Sequence, residues 1–293
     1  MTLVHPTTTQ NGDTTEAPVL PGADPQIPRP PSNRPAPAGR VVRLLQSAAW
    51  ATVGGAVIVA LWALVARSSP DLPGPGEAFT ALRKLLRYPF YDLGPNDKGI
   101  GIQLGVSLVK VFSGFAMAAV IGIPLGFLIG GSKRAWAAAN PIIQILRPVS
   151  PLAWFPIGLV VLKDVGNAAI FVVFITSLWP TVINTAFGAA SVPADQRNVA
   201  RVFQFGRLAY VRHVVIPHSL PSIITGMRLS MGIAWMVIVA AEMLSGNTGI
   251  GYFVWNSYNG GSLANVIAAI VMIGAVGVIL DTVFMRIGRK VAA

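Results

Sequence analysis

Apolar and polar positions do not alternate finely along this chain; long apolar runs are separated by short polar connectors. Six runs stand out, at 46–66, 104–130, 141–162, 167–190, 222–244 and 263–285. Crossing a bilayer takes about 20 mostly apolar residues in a helix, and in lipid the backbone amides have to be paired within the helix itself. The pattern predicts an all-α membrane protein with about six transmembrane helices.

The remainder falls into three kinds of segment. Residues 1–40 carry nine of the 23 prolines amid Thr, Gly, Asp and Ala, with no apolar periodicity. They are expected to form a disordered Pro-rich tail ahead of a membrane domain at 41–293, and they lack the apolar stretch behind a basic start that a cleavable signal needs. After Pro73, Phe79, Leu82, Leu85 and Leu86 share one helical face opposite Arg83, Lys84 and Arg87, the pattern of a short helix lying in the membrane interface. The third segment is NVARVFQFGRLAYVRHVVIPHSLP at 198–221, a basic, partly amphipathic stretch between two apolar runs.

Composition agrees with the pattern: 53% of residues are hydrophobic, 11% are charged, and mean hydropathy is +0.63. The net charge of +11 would point to nucleic acid in a soluble chain, but here the placement of charge matters more than its total, and no nucleic-acid partner is expected. Arg34, Arg40, Arg43, Lys133, Arg134, Arg197, Arg201, Arg207, Arg212, Arg286, Arg289 and Lys290 all fall on one side of the runs. That side is therefore expected to be cytoplasmic, with both termini and the 198–221 loop. Cysteine is absent, which removes disulfide, thiolate-metal and cysteine-nucleophile chemistry.

Within the loop, Ser191, Pro193 and Asp195 are helix-start signals. The helix they open is expected to continue over 198–205, with a break at Gly206 and a second short helix over 207–215 ended by Pro217. Leu208, Tyr210 and Val211, beside Arg207 and Arg212, suit insertion into a groove on another protein. Anionic lipid is the competing surface.

The apolar runs contain few ionisable residues: Lys110, Arg147, Arg228, Glu242 and Asp281. Each costs about 2.5–3.5 kcal/mol at mid-bilayer unless it snorkels, pairs or lines water. Lys110, Arg228 and Asp281 lie near enough to run ends to snorkel. Glu242 reads either as structural glue or as a gate residue. In the third run Pro148, Pro151 and Pro156 surround Trp154 and Phe155, so Arg147 and Trp154 are candidates for a pathway wall, or for a packed kink. Gly122, Gly126 and Gly130 lie on one face, where small residues let helices approach closely within the subunit.

Catalytic chemistry is missing from the sequence. There is no GxxxxGK[ST] loop for ATP phosphates, no GxSxG and no HExxH, and His5, His213 and His218 have no carboxylate at metal-ligand spacing. No enzyme activity, metal or cofactor is expected.

Several motifs in order carry a resemblance over about residues 45–288. GIPLG at 122–126, LRPVSPLAWFP at 146–156, GMR at 226–228 and GIAWMVIVAAEML at 232–244 resemble permeases of ABC importers in the nitrate, sulfonate and taurine branch. GIGYFVWNSYN at 249–259 is most similar to the nitrate, bicarbonate and cyanate members. The 195–221 segment resembles the "EAA" loop on which such permeases seat their ATPase. Registered on Pro217, the usual Glu falls at Asn198, the usual alanines at Val199 and Ala200, and the usual Gly at Gln204; NVARV is the nitrate-type form.

The resemblance implies a type I importer permease fold in the cell (inner or plasma) membrane. It implies a second permease subunit, expected to be identical, ABC ATPase subunits that bind the ATP, and an extracytoplasmic solute-binding protein. The ATPase-docking residues it implies are Asn198, Ala200, Gln204, Gly206, Arg207, Leu208, Tyr210, Val211, Arg212 and Pro217. The solute implied is a small anion, nitrate or nitrite, carried by alternating access. Sulfonate or taurine, bicarbonate or cyanate, and an ATP-independent secondary carrier remain as alternatives.

Overall fold

The computed structural model describes residues 37–292 apart from 70, 95 and 96; the tail expected at 1–40 lies, up to residue 36, outside them. Two compact units are distinguished, residues 1–56 and 57–293. In the first, the described residues form the opening part of α1 (Pro37–Ser68). The second holds the end of that helix and every other element.

Past α1, the indole N–H of Trp62 donates to Pro73 O at 3.1 Å, fixing the approach to α2 (Pro75–Arg87). A short helix is present where the sequence predicts one. Proline in its first turn loses no helical bond, Glu77 and the closing Lys84 and Arg87 match the helix dipole, and Ala78 and Ala81 are buried while Phe79 and Leu86 stay exposed.

The centre is built from α3 (Ile100–Gly130), α6 (Val165–Ala190) and α9 (Ile216–Ser245). Val111, Phe115, Val172, Val173, Met231, Ala234 and Ile238 are buried together there. The expected small-residue face packs α3 on α6: a Cβ at Gly126 would sit 2.5 Å from Thr185 Cβ and 2.9 Å from Val182 O. Between α6 and α9 the glue is polar, with Thr181 Oγ1 and Ser230 Oγ 2.8 Å apart and Ser230 donating to Ser177 O at 2.8 Å. α6 starts at Val165, two residues ahead of the apolar run, because the Asp164 carboxylate accepts from Asn167 N at 2.7 Å and caps it.

The irregular run at 141–162 is broken. α4 (Lys133–Leu146) and α5 (Phe155–Leu162) are separate helices, joined through a 3-10 turn at Pro151–Trp154 and bent by 95°. Pro148 and Pro151 bring no N–H to a helical ladder, and Ser150, preceding a proline, is held extended at φ −55°, ψ 129°. Five helices among the described residues are thus long and apolar enough to cross a membrane, or six if the bent pair counts as one span.

After α6 come α7 (Ala194–Val202) and α8 (Arg207–Tyr210). α10 (Ile250–Asn259) then folds back on α9 before α11 (Leu263–Ala292). Trp235 Nε1 donates to Ile273 O at 3.0 Å, and Arg228 pairs with Asp281 through two contacts of 2.6 and 2.9 Å, joining α9 to α11. The two ions, which the sequence places near run ends, form a mutual, two-pronged pair and stay about half exposed.

Candidate functional site

The loop between α6 and α9 departs from its sequence reading in three places. Its first helix opens at Ala194, in step with Pro193 and Asp195, but ends at Val202, three residues short of the expected Phe205. Ser191 closes α6 and does not open α7: its hydroxyl donates to Gly188 O at 3.0 Å and lies 3.3 Å from His218 Nε2. Pro217 does not end the second helix, since one apolar rod runs from Arg207 to Ser245. A π turn at Val211–Val215, in which Ile216 N–H reaches back to Val211 O, widens the ladder where Pro217 would otherwise leave it short of a donor.

The turn between α7 and α8 is well defined. Gln204 is left-handed at φ 54°, Phe205 N–H donates to Ala200 O at 2.9 Å and Gln204 N–H to Arg201 O at 3.0 Å. This double bond pattern closes a helix C-terminus and favours glycine at the left-handed residue. The reversal is therefore at Gln204, and Gly206 is extended at φ −62°, ψ 160° as the start of α8.

Of the expected docking residues, Ala200 is buried and Tyr210 is half-buried. Asn198, Gln204, Gly206, Arg207, Leu208, Val211, Arg212 and Pro217 are exposed. Leu208 is 82% exposed, and Val202 and Phe203 are 78% and 70% exposed. Behind them a groove of about 400 Å³ runs between α7 and the π turn, walled by Val199, Ala200 and Phe205 on one side and His213, Val214 and Pro217 on the other.

Arg147 and Trp154 are brought together at the break between α4 and α5, where they line a cavity of about 380 Å³. Its other walls are Thr176, Trp179, Pro180, Ile183 and Asn184 of α6 and Leu229 and Ile233 of α9, positions near the middle of both helices.

Glu242 is not in that cavity. It is wholly buried near the end of α9, where one carboxylate oxygen takes the Lys110 ammonium at 3.0 Å and the other accepts from Ser107 Oγ at 2.7 Å and Gly251 N–H at 3.1 Å. Lys110 also donates to Thr248 O at 2.7 Å; it is buried, and the snorkelling expected of it is corrected. Gln103 Oε1 and Ser107 Oγ accept from Gly249 and Ile250 N–H at 2.7 and 2.8 Å. Side chains of α3 and α9 thus satisfy three backbone donors at the start of α10, donors that a helix leaves unpaired. Gly249, at φ 153°, leaves no room for a Cβ against the Glu242 carboxylate.

Comparison with known proteins matches residues 122–293 to the family described as binding-protein-dependent transport system inner membrane component. The chain belongs to this family. As a member it is a membrane-embedded transport component and not an enzyme, and the ABC importer permease reading of the sequence stands. It is 45% identical over 227 residues to the nitrate import permease protein NrtB of Synechocystis sp., covering 77% of this chain and 82% of that protein. It is also 45% identical over 225 residues to the bicarbonate transport system permease protein CmpB of Synechococcus elongatus, covering 75% and 81%. Among solved structures, the MetNI methionine ABC transporter in an inward-facing conformation is similar in fold, with a TM-score of 0.58 at 17% identity over 64% of this chain and 93% of that one.

Sequence reading missed Gln103, Ser107, Trp179 and Asn184. The first two did carry a signal, because Gln103, Ser107 and Lys110 form one polar stripe at helical spacing on an otherwise apolar run. Trp179 and Asn184 carried none: each is a tolerable residue in a membrane helix until the break at 147–150 uncovers it.

Proposed function

We propose that this permease is the pathway-forming subunit of an ATP-driven importer whose solute is nitrate. Two copies form the pore, an ABC ATPase docks on the loop at 195–221 on the cytoplasmic side, where both termini also lie, and an extracytoplasmic binding protein delivers the anion. ATP binding draws the ATPases together, and the loop transmits that motion so that the bundle alternates between inward and outward openings. What supports the loop's role is its geometry: α8 runs through the π turn at Val211–Val215 into α9, so a push on Leu208 is carried along one continuous helix.

The observation that carries nitrate is the 45% identity to a nitrate import permease over most of both chains, in step with GIGYFVWNSYN at 249–259. Bicarbonate is the second reading, favoured by the equal identity to the bicarbonate permease.

The test is uptake into vesicles holding the permease with its ATPase and binding protein. Nitrate uptake on ATP addition is the expected result; bicarbonate uptake without nitrate uptake selects the second reading. The docking role is tested by co-purification of the ATPase with Leu208→Asp and with Arg207→Ser/Arg212→Asp. Burying a carboxylate in an apolar groove removes the energetic centre of such a contact, so retention of the ATPase by these variants would count against it.

A further inference from the structure

The cavity at the α4–α5 break is chemically lopsided. Its one charged lining residue is Arg147, whose guanidinium makes no hydrogen bond or ion pair among the described residues. The indole N–H groups of Trp154 and Trp179 are uncommitted as well, whereas those of Trp62 and Trp235 donate to backbone carbonyls. No buried side-chain N or O among the described residues lacks a partner, so both free indole donors open to solvent-accessible space. Asn184 commits one amide hydrogen to Pro180 O at 2.8 Å and has a second to give. No carboxylate lines the space. Arg147, one residue past the end of α4, is exposed, so with no acidic partner its charge is met by water or by an anion.

We infer that this cavity is an anion-binding station on the pathway, in which Arg147 supplies the charge and the Trp154 and Trp179 ring N–H groups supply directed donors. It rests on the anion-import reading above and adds to it the residues that recognise the solute. Guanidinium and indole donors lie in planes, which suits a flat oxyanion; a zwitterion bearing an ammonium finds no counter-charge here. Selection by charge therefore operates inside the membrane domain as well as in the binding protein.

The experiment uses the reconstituted complex and two readouts. Tryptophan quenching by iodide and by caesium is measured in the wild type and in Trp154→Phe/Trp179→Phe, and the difference isolates the two indoles. Iodide is expected to quench them more strongly than caesium, with the preference lost in Arg147→Gln and kept in Arg147→Lys. Nitrate uptake is expected to fall about tenfold to a hundredfold in Arg147→Gln, the range for losing a hydrogen bond to a charged group. Co-purified ATPase reports an assembled variant, and if Arg147→Gln does not assemble, the wild-type quenching decides alone. Equal quenching by the two ions, or unchanged nitrate uptake in Arg147→Gln, overturns the inference. Anion preference in a complex that moves no nitrate leaves the station standing and removes only the nitrate reading.

Discussion

At the scale of residues, the buried Lys110–Glu242 pair carries the most concentrated electrostatics in the bundle. Removing one partner strands the other without counter-charge, which costs about 3–5 kcal/mol. Lys110→Met is therefore expected to lower thermal stability sharply in detergent. Lys110→Met/Glu242→Gln should recover most of the loss, because a neutral amide still accepts from Ser107 and Gly251. Equal instability of the two variants would show that packing, not charge, is at stake. Gln204 makes the opposite case. Its left-handed backbone carries a steric cost that glycine avoids, so Gln204→Gly should stabilise the loop by about 0.5–1 kcal/mol after glycine's own entropy cost. Slower hydrogen exchange across α7 would register the gain. The sequence registers the family's glycine at this position, and the φ of 54° explains that preference; Gly206, which looked like the breaker, is extended.

At the scale of elements, helices were legible and their ends and continuity were not. Apolar runs locate α3, α6, α9 and α11 with ends off by at most about seven residues, since a lipid span demands length and apolarity from the segment alone. Two features depended on something outside the segment, the Asp164 cap that extends α6 and the π turn that carries α9 through Pro217, and a third, the 95° bend at the prolines inside the third run, on a geometry that run length does not record. The glycine face was legible because its spacing is local, and its partner was supplied by packing. Gly126→Val is expected to force α3 off Thr185 and Val182, destabilising the bundle by about 1–3 kcal/mol, while Gly105→Val, where a Cβ meets nothing within 4 Å, should have little effect. Thermal unfolding of the two variants side by side checks this.

At the scale of the whole molecule, the chain has no phosphate-cradling loop, so vesicles holding it alone are expected to move no nitrate with or without ATP. Adding the ATPase and binding protein should restore ATP-dependent uptake; passage through the lone polypeptide would end the coupled-transport reading. By itself the sequence determined membrane residence, the helical class, the family and the basic loop, because each is written in composition, run length or ordered local motifs. Tertiary structure alone decided which intramembrane ions meet. Lys110 and Glu242 are 132 residues apart, and Arg147 comes from the α4–α5 break while Trp179 and Leu229 come from α6 and α9. Whether a buried charge is paired, capping a backbone or facing a cavity depends on distances across the bundle, and a linear order of residues does not contain them.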